Sequence, residues 1–237
     1  MKAWNAAGLI PAMIVMVAGA NAQQPGRTDA VVRFGQHVAD MKSEFEQRHP
    51  GGGIDDRLWV KARLGVLARI DQEADEFLAN VPRGAEALKE LQAQNTAELR
   101  SIVHRWGWIG EPDFDPSAAN DAWLLLLHSN GDIAFQREVL AAFDLQIRKG
   151  QGDRRSYAYL YDSIALNPLN TSSAGLQRYG SKGRCVARGK WEPYASEDPE
   201  RLDERRRSME LRPEADYVAY MLKVSDQCPT EEKSPYQ

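Results

Sequence analysis

From Thr28 to Asn167 apolar residues return every three or four positions, and this period constrains the fold more than any other feature of the chain. A backbone turning once per 3.6 residues brings such positions onto one face, whereas a strand would need strict alternation. "TDAVVRFGQHVADMKSEFEQRH" aligns Val31, Phe34, Val38, Met41 and Phe45 in this way. "DDRLWVKARLGVLARIDQEADEFL" does so with Leu58, Ala62, Leu67, Ile70, Ala74 and Phe77. A third stretch, "ALKELQAQNTAELRSIVHRWGW", has Gly107 as a stop. In "DPSAANDAWLLLLH" Asp115 is placed to cap and Pro116 fits the first helical position. "DIAFQREVLAAFDLQIRKG" closes on Gly150, and "RSYAYLYDSIALNP" ends before Pro168.

Beyond Pro168 the texture changes. "GLQRYGSKGRCVARGKW" is rich in Gly and basic residues with short alternation, the pattern of an irregular hairpin. "DPERLDERRRSMEL" and "PEADYVAYMLKV" return to helical spacing. The expectation is a mainly α class: one helical-bundle-like domain over residues 23–230, with a small β-hairpin or irregular insertion near residues 175–195. No linker divides it, no fixed-period repeat marks a solenoid, and residues 231–237 read as a flexible tail.

Residues 1–22 carry Lys2, an apolar run from Gly8 to Gly19 and the small-x-small end Ala20-Asn21-Ala22, which is the build of a secretory signal peptide. The apolar run is shorter than a spanning helix needs and contains Pro11, so the expected product is exported, periplasmic or extracellular, with no stable membrane insertion. Formal net charge is −4, and loss of Lys2 with the leader makes it one unit more negative. Such a chain has no electrostatic reason to seek nucleic acid. In an oxidising compartment Cys185 and Cys228 are expected to close a disulfide across a separation of 43 residues.

Familiar catalytic signatures are missing: no G-x-S-x-G, H-E-x-x-H, C-x-x-C or G-x-G-x-x-G occurs. "GRCVARGKW" has the wrong spacing for a phosphate loop, with Trp191 where its hydroxyl residue belongs. His37, His49, His104 and His128 have no mutual ligand spacing, so neither metal nor cofactor is expected. "DERRR" (Asp203–Arg207) reads as a solvated helix face, and "NTS" at Asn170 as a formal glycosylation acceptor only.

Three places remain. His128 ends the apolar run of Trp123 to Leu127; a helix C-terminus favours a histidine, and Asn130-Gly131 and the N-cap Asp132 explain the turn that follows. Asp162 sits at the edge of a stripe formed by Tyr157, Leu160, Tyr161 and Ile164 and needs a donor if buried, with Arg154, Arg155 and Arg178 as candidates. In "LQRYGS" a strand would point Gln177, Tyr179 and Ser181 the same way, and Gly180 would admit a close backbone approach.

These residues carry a resemblance. "AWLLLLHSNGDIAFQREVL", "YAYLYDSIAL", "LQRYGSK" and "DPERLDERRRSMEL" occur in an order that resembles an uncharacterised bacterial family, domain of unknown function 6624, over about residues 95–220. The chain keeps that pattern at His128, Asp132, Gln136, Asp162, Gln177, Tyr179, Gly180 and Arg205 to Arg207. It departs at Leu127, Asn130, Ser163, Ser181 and Lys182, where the pattern has Gln, Asp, Arg, Thr and Gln. The resemblance implies a residue set and no reaction.

Two functions follow as expectations. One is a module binding a small molecule or an envelope protein, with Gln136, Gln177, Tyr179, Gly180 and Arg206 contributing and Trp106, Trp108, Trp191 and Tyr194 available for a partner surface. The other is an envelope hydrolase in which His128 is general acid or base and Asp162 orients it. A buried structural network joining His128 to Asp162 or Gln177 is the non-functional reading of the same residues.

Overall fold

The structure, a computed structural model, describes residues 28–110, 113–150, 152–172, 174–224 and Cys228. Residues 1–22, expected as a signal peptide, and residues 231–237, expected as a tail, lie outside the described residues. Six helices occupy the periodic stretches: α1 (Thr28–Arg48), α2 (Arg57–Leu78), α3 (Gly84–Trp106), α4 (Pro116–His128), α5 (Ile133–Arg148) and α6 (Arg154–Leu166). Aspartates begin four of them. Asp56 accepts from Leu58 N at 2.8 Å, Asp115 from Ala118 N at 3.0 Å, Asp132 from Phe135 N at 3.1 Å and Asp153 from Arg155 N at 2.9 Å. Each satisfies an amide that the first turn leaves without an intrahelical acceptor. At the other end of α3, Gly107 takes φ +77° and returns its N–H to Val103 O, the stop its position suggested.

Antiparallel β1 (Gly183–Ala187) and β2 (Lys190–Pro193) pair Cys185 with Trp191, and Gly189 turns between them at φ +62°. A short 3₁₀ turn (Pro199–Arg201) leads into α7 (Leu202–Ser208), and α8 (Glu214–Val224) follows. The mainly α fold with one small hairpin is therefore as expected, but the hairpin is confined to residues 183–193. Residues 177–182, for which hairpin strand and irregular structure were both open, form a loop with an isolated bridge from Gln177 to Ser196.

One core runs through α2 to α6. Leu64 and Leu67 of α2, Leu99 and Ile102 of α3, Leu125 and Leu126 of α4, Phe135 and Phe143 of α5 and Leu160 of α6 are buried together. A second cluster wraps α1 onto α2 and α3 through Phe34, Ile70, Leu78 and Leu91. A third holds the C-terminal part: Trp191 of β2, Tyr217 of α8 and Cys228. Cys185 and Cys228 are disulfide-bonded, with Cα atoms 5.3 Å apart, so the chain beyond α8 is tied to β1. Among the described residues no helix is long and apolar enough to cross a membrane.

Candidate functional site

His128 is the last residue of α4, which packs along α2. From α2, fully buried Asp71 places Oδ2 in hydrogen-bond contact with His128 Nδ1. A carboxylate oxygen only accepts, so the ring carries its proton on Nδ1 and donates it. That bond raises the imidazole pKa above its usual value; the charges of Asp71 and Asp75 act in the same sense, while burial and Lys182 oppose them. The side chain keeps 26% exposure, and Nε2 has no hydrogen-bond partner among the described residues. The result is an oriented imidazole with one nitrogen open to whatever approaches.

The partner expected for His128 was Asp162 or Gln177, and the structure corrects both pairings. Asp162 is fully buried on α6 and receives three backbone amides: Arg178 N at 2.8 Å and Tyr179 N at 3.1 Å on Oδ1, and Ser181 N at 2.9 Å on Oδ2. The donors are thus main-chain groups of the 177–182 loop, where arginine side chains were expected. Gln177 is equally occupied: its Nε2 donates to Lys182 O at 2.9 Å and Tyr194 O at 2.7 Å, and its Oε1 accepts from Lys182 N at 2.8 Å.

The opposite side of this loop is held by α7. Arg206, 1% exposed, donates through Nη1 to Tyr179 O at 2.6 Å and Gly180 O at 3.0 Å, and through Nε to Arg212 O at 2.7 Å. Arg205 Nε reaches Arg178 O at 2.7 Å, and the Tyr217 hydroxyl donates to Ser181 O at 2.9 Å. Every carbonyl from Gln177 to Lys182 thereby has a donor. A buried loop needs this complete pairing because an orphaned peptide group costs as much as a lost hydrogen bond. "DERRR" is thus no solvated face at Arg205 and Arg206; it supplies the guanidinium groups that fasten the loop.

The remaining expected ligand residues are also turned inward. Tyr179 packs edge-on against Tyr157 and Tyr161, and burial pushes its phenol up to about 12. Gly180 takes φ +62°, and a β-carbon there would lie 3.1 Å from Leu202 Cδ2; the close approach is to α7. Gln136 is buried on α5 with Nε2 donating to Leu126 O at 3.0 Å. Of the aromatics, Tyr194 is exposed, Trp191 is buried, and Trp106, Trp108 and Trp123 pack partly buried against the main core.

A cavity of about 420 Å³, which His128 does not line, includes its neighbour Leu127 and Trp123 of α4, Tyr159 of α6, Ser181, Lys182, Trp191 and Tyr217. Lys182 lines it, and its ammonium has no hydrogen bond or ion pair among the described residues. Burial lowers the Lys182 pKa, with Asp162 pulling the other way. Sequence reasoning missed Asp71 and Lys182. Asp71 shares a helix face with Leu67, Ala74 and Leu78, which is the one signal that an acid there would be buried. Lys182 gave no such signal, because its surroundings come from α4, α6 and α8. No family model, curated protein or solved structure matches this chain.

Proposed function

We propose that the protein is an exported binding module, acting in the periplasm or outside the cell, whose ligand enters the cavity lined by Leu127 and Lys182. The unpartnered Lys182 ammonium in an aromatic-walled cavity carries the reading. A desolvated cation gains most from an anionic partner, and the flanking Trp123, Leu127 and Trp191 suit an aromatic or aliphatic body. Three of the five departures from the resembled motif, Leu127, Ser181 and Lys182, line this cavity, which supports a ligand particular to this chain. The Cys185–Cys228 disulfide fits an oxidising compartment. The saturated bonding of Asp162 and Gln177 gives them the task of holding the loop that brings Ser181 and Lys182 to the cavity.

The test uses 8-anilinonaphthalene-1-sulfonate, an aromatic anion whose fluorescence rises on desolvation. Saturable enhancement is expected, lost in Lys182→Gln and in Met221→Trp, which fills the cavity, while both variants keep the parent melting temperature. Enhancement unchanged by either substitution sinks the reading.

A second reading has a specific observation behind it: Asp71 fixes His128 through Nδ1 and leaves Nε2 available, the arrangement of a general acid or base. No hydroxyl or thiol bonds Nε2 among the described residues, so a hydrolase of this kind would activate water. Turnover of nitrophenyl esters or glycosides that vanishes in His128→Ala, with stability retained, would support it; no turnover across both series would reject it.

A further inference from the structure

A second cavity, of about 540 Å³, opens on the other side of Tyr159 and Tyr217, which line both. Four guanidinium groups border it, those of Arg155 from α6, Arg206 and Arg207 from α7, and Arg212 from the segment before α8, against one carboxylate, Glu210. Glu210 is itself drawn to Arg154, 3.7 Å away. The concentration of positive charge stands out because the whole chain is acidic. Elsewhere in the fold arginines meet carboxylates, as Arg63 does with Glu98 and Arg148 with Asp144.

Arg155, Arg207 and Arg212 have no ion pair among the described residues; Arg212 instead stacks over Tyr220 at 4.5 Å. Arg206 forms the floor. It is 1% exposed, its Nε and Nη1 are committed to carbonyls, and Nη2 has no acceptor among the described residues. A guanidinium so buried is held in one orientation, and it sits over the Tyr217 ring at 4.8 Å. One fixed guanidinium and three adaptable ones on the same cavity can offer an oxyanion several charge-assisted hydrogen bonds at once. Tyr159 and Tyr220 add flat apolar faces at the same opening.

We propose that this cavity binds a small ligand through a dianionic oxyanion group, a phosphoryl monoester, with its organic part resting against the tyrosines. The site is separate from the Lys182 cavity and stands or falls independently of it.

Calorimetric titration of the intact chain with phenyl phosphate at low ionic strength tests this, with inorganic phosphate and vesicles containing phosphatidic acid as parallel arms. One saturable site is expected, weakened about tenfold by Arg155→Gln or Arg212→Gln, the loss of one charge-assisted contact. Glu210→Gln should tighten it, and Lys182→Gln should leave it unchanged. Arg155 and Arg212 are exposed and pair with no carboxylate among the described residues, so both variants should keep the parent melting temperature. Vesicle capture abolished by the Arg155→Gln/Arg212→Gln pair identifies a lipid headgroup as the source of the monoester. Binding that survives that double variant, or no saturable binding in any arm, overturns the proposal.

Discussion

Asp71 and Asp162 are both sealed from solvent, yet one meets an imidazole and the other three amides, and substitution should separate them. Asp71→Asn removes the acceptor charge behind His128. The His128 pKa, followed by proton NMR, should fall towards the ordinary value, and stability should drop by about 1–3 kcal/mol in urea. Asp162→Asn leaves one acceptor oxygen where two served three donors, with an expected loss of about 3 kcal/mol and no movement of the His128 titration. The raised His128 pKa also fixes a pH dependence. Below the unfolded value of 6.5 the protonated ring contributes its full stabilisation, and that contribution disappears as pH rises through the folded value. Unfolding free energy should therefore decline from about pH 6 upward until the folded value is passed, and His128→Ala should flatten the decline.

Helices were legible because their signals are local. Asp115-Pro116, Asn130-Gly131-Asp132 and Gly107 each mark an end through their own backbone chemistry, and the structure places caps at Asp115, Asp132 and Gly107. The 177–182 segment could be read only as strand or irregular loop, because its alternation of buried Gln177, Tyr179 and Ser181 mimics a pleat. What holds it is Asp162, 16 residues before Arg178, and Arg206, 27 residues after Tyr179. The site was hidden for the same reason: the separation of His128 from Asp71 is 57 residues, and nothing near either names the other. Gly180 tests the loop as a unit. Gly180→Ala imposes a left-handed conformation on an L-residue and crowds Leu202, so a loss of about 1–2 kcal/mol is expected, read as a lower denaturation midpoint with an unchanged slope.

Taken entire, the protein joins a helical core to a C-terminal portion through Asp162, while Arg206 and the Cys185–Cys228 bond tie that portion to itself. Reduction should cost about 4 kcal/mol on the chain-entropy account of a closed loop of this size. Hydrogen exchange should show the amides of β1, β2 and α8 opening first, while α2 to α5 remain protected. The clamp on residues 177–182 also sets a calendar for folding. Its carboxylate is in place once α6 has formed, but the guanidinium of Arg206, the hydroxyl of Tyr217 and the thiol of Cys228 follow α6 by 40 residues or more. Synthesis runs from the N-terminus, so both cavities stay unfinished on a nascent molecule until the residues up to Tyr220 and Met221 have emerged. A product truncated after Asn167 should retain helices α1 to α6 and lack both cavities.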